Sequence, residues 1–518
     1  MHIKIISIII LFFTISNTTD AYELETKNSI KLLLNSPLIY NKPQVSTNSI
    51  AGRYLLNEIK KANKTIDFAI YGIRNQPEVM RALMEAKNRG VRIRGVVDKD
   101  INNENYYVST KILIDSFKNI KSDYLTDILT KKKSRRKSSY KPYCGTPEGF
   151  KGLVQCVGYS LPNNRCIISS MASKEYMEYK GDIMHNKFFI FDDKVVWTGS
   201  TNISDSGTGG YNANNAILIY SEIIAETYKA EFEEMYLKNH YHWQKQHMKN
   251  SYLYEQLPDG SKIKVSFSPQ GYAVEKLVRP IIQNAQSYID VPVFYLTHKR
   301  LTGDLIKAYL RGVKVRIIID ATAAQNGYSK HEILRAVGIP VKIENWGGKM
   351  HMKSAVVDDK FLITGSMNWS SAGERKNDEN ILVIESSTYA KQMHSFFNEL
   401  WTSIPDVWLK KDPLPESKDS STSCNDGVDN DFDNLADAND PDCTNPSPKI
   451  YHIAPYKIVP KTDGYNLIKG NISKNGKKYF FLPMDKYYSK VRIDTERGEK
   501  WFCSVDEARE EGWIRPYK

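Results

Sequence analysis

The chain has 518 residues, of which 41% are hydrophobic and 25% are charged. This composition is ordinary for a folded protein and excludes wholesale disorder, and the length predicts about three domains. The formal net charge is +12, from 72 Lys and Arg against 60 Asp and Glu. Such an excess favours an anionic partner such as nucleic acid or a phospholipid surface, although it also serves solubility alone.

The first predicted element is an export signal at 1–21. Lys4 precedes an apolar stretch over residues 5–15, and Thr19 and Ala21 are small enough to flank a cleavage after Ala21. The apolar stretch is too short for a spanning helix, which needs about 20 residues. We therefore expect a secreted or periplasmic protein.

The body of the chain repeats itself. Residues 61–98 and 283–320 each read as an apolar strand, an amphipathic helix, the turn RGV and a second apolar strand. Gly90 and Gly312 stand where a helix C-terminus favours a residue that tolerates positive φ. Strand–helix–strand units with continuous apolar strands predict sheets covered on both faces. The expected fold class is α/β, with two duplicated mixed-sheet units around a pseudo-two-fold axis and a small C-terminal module.

Each unit leads to a copy of one motif, His-x-Lys-x4-Asp followed by Gly-Ser-x-Asn. The copies are "GDIMHNKFFIFDDKVVWTGSTNIS" at 181–204 and "GGKMHMKSAVVDDKFLITGSMNWS" at 347–370. The motif residues are His185, Lys187, Asp192, Ser200 and Asn202 in the first copy and His351, Lys353, Asp358, Ser366 and Asn368 in the second. Alternate residues of a strand share a face, so each histidine is expected beside its lysine.

The two copies resemble the signature of the phospholipase D superfamily, and the resemblance covers residues 32–401. It implies a phosphodiesterase in which both motifs meet at one phosphorus atom and no metal takes part. A neutral imidazole is a competent nucleophile near pH 7, a protonated one can serve the leaving oxygen, and lysines neutralise the phosphate. By the resemblance, His185 forms a phosphohistidine and His351 is the acid. One chain holds both motifs, so we expect a monomer containing an intramolecular pseudo-dimer.

Further residues receive roles in this interpretation. Lys187, Lys353 and the two serines and asparagines of the motifs are expected at the substrate, while Asp192 and Asp358 are expected to support it. Glu379 stands where the family often has a carboxylate that orients a histidine, and Asn214 stands at the matching place of the first unit. An asparagine accepts a hydrogen bond but does not stabilise an imidazolium as a charge does. The assignment of nucleophile and acid therefore stays open on this point.

The units predict domains at 22–250 and 251–409. The first carries an insertion at about 105–170, which contains a basic run at 131–141 and Cys144, Cys156 and Cys166. One disulfide is expected among these three cysteines. The basic run is typical either of a nucleic-acid contact or of a solvated loop.

Residues 410–450 predict a flexible linker and then an acidic loop between Cys424 and Cys443, which are expected to form a disulfide. The loop resembles the calcium repeats of thrombospondin type 3, and carboxylates alternating in a tight loop suit a structural Ca²⁺. The alternative is a solvated acidic linker. The candidate ligands are Asp429, Asp431, Asp433, Asp437 and Asp440.

Residues 451–518 resemble a small module appended to exported nucleases, on "IKGNI" at 468–472, "GEKWFC" at 498–503 and the pair Gly512 and Trp513. Its aromatic residues either stack on bases or form the core of a small domain. We favour a metal-independent nuclease as the function. A phospholipase D acting on membrane lipids and a catalytically vestigial nucleic-acid-binding protein are the alternatives.

Overall fold

The computed structural model describes residues 29–133, 156–160, 165–168, 181–246, 254–326, 328–432, 435–444, 457–460, 468–482, 485, 487–491, 493–502 and 505–516. The expected export signal, most of the basic run, Cys144, the side chains of Cys156 and Cys166, and Asp433 lie outside the described part of the chain. Within the described ranges, no helix is both long enough and apolar enough to cross a membrane.

The first repeat is built on a seven-stranded mixed sheet. Its strands are β1 (Ile30–Asn35), β2 (Thr65–Ile70), β4 (Arg92–Val97), β5 (Ile120–Ser122), β8 (Lys187–Phe191), β9 (Val195–Gly199) and β11 (Asn214–Tyr220). They lie in the order β1-β11-β9-β8-β2-β4-β5, with β2, β4 and β5 parallel and the other pairs antiparallel. The short strands β3 (Ile73–Arg74) and β10 (Ile203–Ser204) form a separate parallel pair.

Five helices cover this sheet: α1 (Ile50–Lys61), α2 (Pro77–Asn88), α3 (Thr110–Ser116), α4 (Tyr124–Lys133) and α5 (Glu222–Tyr236). Local chemistry sets where they begin. Ser49 and Ser221 accept backbone N–H groups at the starts of α1 and α5, and Pro77 occupies the first turn of α2. Helices α1 and α2 bury their apolar faces on one side of the sheet, and α5 packs on the other.

The second repeat has an eight-stranded sheet. Its strands are β12 (Glu255–Gln256), β13 (Lys262–Ser268), β14 (Tyr288–Val293), β15 (Lys314–Ile319), β16 (Val341–Ile343), β17 (Ala355–Val357), β18 (Phe361–Gly365) and β19 (Glu379–Glu385). The order β12-β13-β19-β18-β17-β14-β15-β16 is that of the first repeat with one added edge strand. Its helices are α6 (Arg279–Asn284), α7 (Lys299–Leu310), α8 (Ala321–Ala324), α9 (His331–Val337), α10 (Ser371–Arg375) and α11 (Ser387–Ser403). The predicted duplicated α/β fold is confirmed.

The duplication extends to buried ion pairs. Arg94 donates to the Asp67 carboxylate across β2 and β4 at 2.8 Å, and Arg316 donates to Asp290 across β14 and β15 at 2.9 Å. A single apolar core joins the repeats, with α5 and α11 side by side in it. The site between the repeats therefore rests on a shared, closely packed layer, which fixes the two sheets relative to each other.

Two predictions need correction. The insertion begins later than residue 105, because residues 120–122 form β5, an edge strand of the first sheet that corresponds to β16 in the second sheet. The segment 410–423 is not a flexible linker: Glu416 and Ser423 are fully buried, and the Asp412 carboxylate pairs with His331 and Arg335 of α9. Composition did not predict this packing, because the Asp412 carboxylate has its partners far along the chain and the serine hydroxyls bond to backbone carbonyl groups within the segment.

The remaining elements lie in the insertion and the tail. They are β6 (Cys156–Ser160), β7 (Arg165–Ile168), α12 (Pro441–Thr444), β20 (Lys457–Pro460), β21 (Ile468–Ile472), β22 (Lys478–Phe481), β23 (Lys500–Phe502) and α13 (Val505–Glu510). Strand β20 pairs with β7 of the insertion, while β22, β21 and β23 form a separate antiparallel sheet. Phe502 and Trp513 are buried in the core of this last module, which leaves them unable to stack on a ligand.

Candidate active site

The two motifs are joined by backbone pairing between the repeats. The His185 N–H donates to the Asp378 carbonyl at 2.9 Å, immediately before β19 of the second repeat. The His351 N–H donates in the same way to the Ala213 carbonyl at 2.9 Å, immediately before β11 of the first repeat. The backbone of each histidine is thus bound to the residue that precedes a strand of the other repeat. This pairing brings the two motifs together across the pseudo-two-fold axis.

The first histidine has a carboxyl group as its partner, which takes on its negative charge as the ring becomes positive. Its Nδ1 lies 2.8 Å from Glu379 Oε2, and the Ser366 hydroxyl donates to that same oxygen at 2.8 Å. Glu379 is fully buried. A carboxylate at Nδ1 holds the proton on that nitrogen and leaves Nε2 free to act as a nucleophile or base.

The second histidine has a neutral partner. His351 Nδ1 lies 3.1 Å from Asn214 Oδ1 and 3.1 Å from the Ser200 carbonyl, and the Ser200 hydroxyl donates to Asn214 at 2.9 Å. Both acceptors are uncharged, so they orient the ring without adding a charge. The orienting residues are exchanged between the repeats: residues of the second repeat bind Nδ1 of His185, and residues of the first repeat bind Nδ1 of His351.

Both lysines lie deep in the site. Lys187 Nζ donates to the His185 carbonyl at 2.8 Å, and Lys353 Nζ donates to the His351 carbonyl at 2.7 Å. Burial lowers the pKa of Lys187 to about 7, against the pull of Glu379, and lowers that of Lys353 well below its usual range. A bound phosphate anion would favour the charged form of both ammonium groups.

Burial also sets the charge of the imidazoles and their carboxylate. It lowers the pKa of His185 well below its usual range, and the charges of both lysines add to the effect. Burial lowers the pKa of His351 well below its usual range in the same way, with the charges of Lys353, Lys187 and His185 contributing. Burial raises the pKa of Glu379 to about 8. The neutral imidazole required of a nucleophile is therefore the form that the site favours.

Aromatic side chains wall the site. The Tyr71 ring lies 5.3 Å from the His185 ring, and the Phe294 ring lies 5.1 Å from the His351 ring, as centroid distances. These two residues follow equivalent strands, β2 and β14. They exclude water from the imidazoles, which strengthens the electrostatic interactions among the charged groups of the site.

The predicted substrate contacts divide into two groups. Asn202 and Asn368 each have a buried side-chain oxygen without a hydrogen-bond partner, and the Asn202 amide donates to the Tyr107 hydroxyl at 3.1 Å. Ser200 and Ser366 do not lie where a substrate contact was predicted, whereas Glu379 lies where a carboxylate that orients a histidine was expected. They stand behind the imidazoles, because their polar atoms bond to one another and to the far ring nitrogens.

Asp192 and Asp358 lie away from the imidazoles. The Asp192 carboxylate accepts three consecutive backbone N–H groups, of residues 63–65, at the start of β2. The Asp358 carboxylate accepts those of residues 286–288 at the start of β14. Each aspartate therefore anchors the strand that leads to the aromatic wall of its own repeat.

A buried network of charged residues surrounds Asp378, whose carbonyl binds the His185 N–H. This network was not predicted from the sequence. The Asp378 carboxylate lies 3.1 Å from His242 Nδ1 and 2.8 Å from Lys245 Nζ. His242 Nε2 lies 3.2 Å from Asp123, which also accepts the Met184 N–H. Burial disfavours a charged imidazole, but Asp378 and Asp123 outweigh it and hold the pKa of His242 well above its usual range. A lone histidine near the end of α5 gave no motif by which to find it.

The acidic loop lies beside the second motif. The Cys424–Cys443 disulfide is present, as predicted. Ligand atoms of Glu416, Asp429 and Asp431 lie within 4.8 Å of one another, and Glu416 had not been predicted because it precedes the loop. Asp437 instead accepts the N–H groups of residues 426 and 427. The Asn430 amide donates to the Gly347 carbonyl at 3.0 Å, which ties the loop to the start of the motif.

Comparison with known proteins identifies a family whose model matches the part of the chain containing both motifs, together with related proteins. The family model described as "Cardiolipin synthase, PLD-like domain" matches residues 55–236 and 278–401. The chain is 35% identical over 132 residues to a phospholipase D of Rickettsia felis, covering 25% of this chain and 65% of that protein. It is 33% identical over 129 residues to the mitochondrial cardiolipin hydrolase of Mus musculus, covering 25% of this chain and 58% of that one.

Among solved structures, Nuc from Salmonella typhimurium, described as a phospholipase D family member, is similar over 28% of this chain and 97% of its own. Its sequence identity is 28% and its TM-score is 0.27. The match to the family model covers more than half of this chain, and each of the two matched segments contains one copy of the motif. The chain therefore belongs to the phospholipase D superfamily.

Proposed function

We propose that this protein is a phosphodiesterase, an exported nuclease that cleaves nucleic acid through a phosphohistidine on His185. Nε2 of His185 attacks phosphorus while Glu379 holds the opposite nitrogen, so the positive charge that develops on the ring meets a carboxylate. His351, which takes up a proton when the phosphate anion binds beside it, donates that proton to the leaving oxygen and then takes one from the water that attacks the phosphohistidine. Superfamily members generally act without a metal cofactor, and none of these steps calls for one.

The observation that carries the nucleic-acid assignment is the aromatic lining of the cleft. Tyr71 and Phe294 flank the histidines, and Tyr106 and Tyr295 continue the two walls outward. Aromatic rings beside a phosphate-binding centre suit a polymer that alternates phosphates with flat bases. The formal net charge of +12 and the resemblance of residues 451–518 to a nuclease-associated module support the same assignment.

A different observation favours a phospholipid substrate. Large apolar side chains are exposed on two neighbouring loops near the site, with Val45 56% exposed and Val108 78% exposed. Gln76 donates to the Val45 carbonyl, and Asn75 N–H donates to the hydroxyl of Ser109, so the loops adjoin. Exposed apolar residues of this kind can insert into a bilayer surface.

One experiment separates the two assignments. The purified chain is incubated with single-stranded DNA, RNA and plasmid DNA, and separately with vesicles of phosphatidylcholine and cardiolipin, all in excess EDTA. Nucleic-acid cleavage that is lost in His185→Asn supports the nuclease. Lipid hydrolysis without nucleic-acid cleavage would replace it with a phospholipase, and binding of nucleic acid without turnover would indicate a vestigial enzyme.

The acidic loop is proposed to hold a structural Ca²⁺ between Glu416, Asp429 and Asp431. Hard carboxylate oxygens are the ligands that Ca²⁺ prefers, and Asp440, which is nearly fully buried, has a side-chain oxygen without a hydrogen-bond partner. The disulfide that closes the loop supports an oxidising compartment and therefore export. Calcium should raise the thermal midpoint of the wild type and leave that of Glu416→Gln unchanged, and an equal rise in both would remove the proposal.

A further inference from the structure

An exposed tyrosine stands at the outer end of the aromatic wall in the first repeat. Tyr106 is 60% exposed, and its ring lies 5.5 Å from Tyr71, which contacts His185. An exposed aromatic ring next to a catalytic site offers an apolar face on which a flat ligand can stack. Tyr106 is not needed to pack this wall, since Tyr71 and Tyr107 already contact each other.

The loop that carries Tyr106 is held in place by several independent contacts. Arg74 lies over the neighbouring Tyr107 ring at 5.1 Å, and the Tyr107 hydroxyl accepts from Asn202. Thr110 accepts the Ile73 N–H at 2.9 Å. The exposed ring is therefore presented in a fixed position, which lowers the entropy that a ligand must lose on binding.

The second repeat presents a ring opposite this one. Tyr295 packs edge-on against Phe294 at a centroid distance of 4.4 Å, and Phe294 contacts His351. Each tyrosine thus lies one aromatic ring beyond the histidine of its own repeat. Burial, and then the charges of Asp320 and Tyr106, raise the pKa of Tyr295 to about 12, which agrees with both tyrosines lying around one site.

We propose that Tyr106 and Tyr295 form a base-binding slot beside the scissile phosphate, which makes the enzyme selective for single strands. This inference rests on the proposed nuclease function. Both faces of a base in a duplex are covered by its neighbours, so filling the slot from a duplex requires unstacking at a cost of a few kcal/mol. A single strand offers its bases without that cost, and stacking on an aromatic side chain contributes about 1–3 kcal/mol per base.

The test compares four proteins on three substrates. The proteins are the wild type, Tyr106→Ala, Tyr106→Phe and, as a matched control, Tyr254→Ala, in which an exposed tyrosine packed on Lys264 is removed. The substrates are a labelled single-stranded oligonucleotide, its duplex, and a set of single strands that carry one abasic position at successive places. Initial rates over a range of concentrations give kcat and KM separately.

The wild type should cleave the single strand at least about tenfold faster than the duplex in kcat/KM, given the cost of unstacking. Tyr106→Ala should lower kcat/KM on the single strand roughly 5- to 150-fold, mainly through KM. Tyr106→Phe and Tyr254→Ala should retain it. One abasic position should slow the wild type by a similar factor and have no further effect in Tyr106→Ala.

Three outcomes overturn the inference while leaving the nuclease intact: equal rates on duplex and single strand, full activity of Tyr106→Ala, or an abasic effect that persists unchanged in that variant. Failure to cleave any nucleic acid, with lipid hydrolysed instead, overturns the proposed function itself. Tyr295→Ala provides a second variant if Tyr106→Ala fails to fold.

Discussion

The two repeats share their strand order and their motif but give their histidines different neighbours. His185 bonds to a buried carboxylate, whereas His351 bonds to an amide and a backbone carbonyl. A carboxylate stabilises a ring that becomes positively charged when it attacks phosphorus, while an amide only orients a ring that exchanges protons. The difference shows that a nearly symmetric scaffold can separate two chemical roles through one residue on each side.

The largest effect should come from removing the imidazoles themselves. His185→Asn and His351→Asn should each reduce turnover of an ordinary diester by about 10⁴-fold or more. With a 4-nitrophenyl ester, whose leaving group needs no acid, His351→Asn should still release a burst of nitrophenol and accumulate phosphoenzyme. His185→Asn should give neither. Rapid-quench kinetics and intact-protein mass spectrometry would check this, and a burst from His185→Asn alone would reverse the roles.

The orienting residues should differ in importance. Glu379→Ala breaks a hydrogen bond to a charged group, worth about 1.5–3 kcal/mol, so kcat should fall roughly 10- to 150-fold. Asn214→Ala breaks a neutral one, worth about 0.5–1.5 kcal/mol, so the loss should be roughly 2- to 12-fold. Steady-state rates on one substrate would measure both. Equal losses would contradict the distinction between the two neighbours.

The two lysines should make anion binding depend on pH. The pKa of Lys187 is lowered to about 7 in the free protein, and an anion raises it, so binding takes up a proton above that pH. Affinity for sulfate, which keeps its charge throughout, should fall as pH rises above 7, by up to about tenfold per unit. Calorimetry in buffers of different ionisation enthalpy would show the proton uptake. Lys187→Met should remove this dependence near pH 7, and an unchanged profile in that variant would assign it elsewhere.

The smallest effect on catalysis should come from the two strand anchors. Asp192→Ala and Asp358→Ala each remove acceptors for three backbone N–H groups. Each should lower the free energy of unfolding by about 1–2 kcal/mol, as for a lost helix cap. Urea denaturation would measure this, with turnover of the folded protein changed less than about twofold. A loss of activity without a loss of stability would place either aspartate in the reaction.

The sequence predicted what local patterns encode. Two copies of a spaced motif and two strand–helix–strand units are readable along the chain, and both fold class and family follow from them. The matched positions of Glu379 and Asn214 were readable as well. Which histidine each one serves was not, because that depends on backbone pairing between residues about 140 or more positions apart.

Contacts made by isolated residues escaped prediction for the same reason. His242 and Lys245 can be assigned a role only once their contact with Asp378 is known. Glu416 can be assigned one only from its proximity to Asp429 and Asp431 in the folded chain. Tyr106 is one of many tyrosines in the sequence, and only its contact with Tyr71, beside His185, places it near the site. The packed segment at 410–423 shows the reverse error, in which a polar composition suggested mobility where tertiary partners are present.

The exchange of the orienting residues between the repeats has a consequence for how such a protein can arise. Two identical subunits that met at an axis would give both imidazoles the same neighbour, whichever residue stood at that position. Joining the copies in one polypeptide removes that constraint, because each half can then change on its own. The proposed division of labour between attack and protonation therefore requires two different halves, and a dimer of either half alone would not carry it.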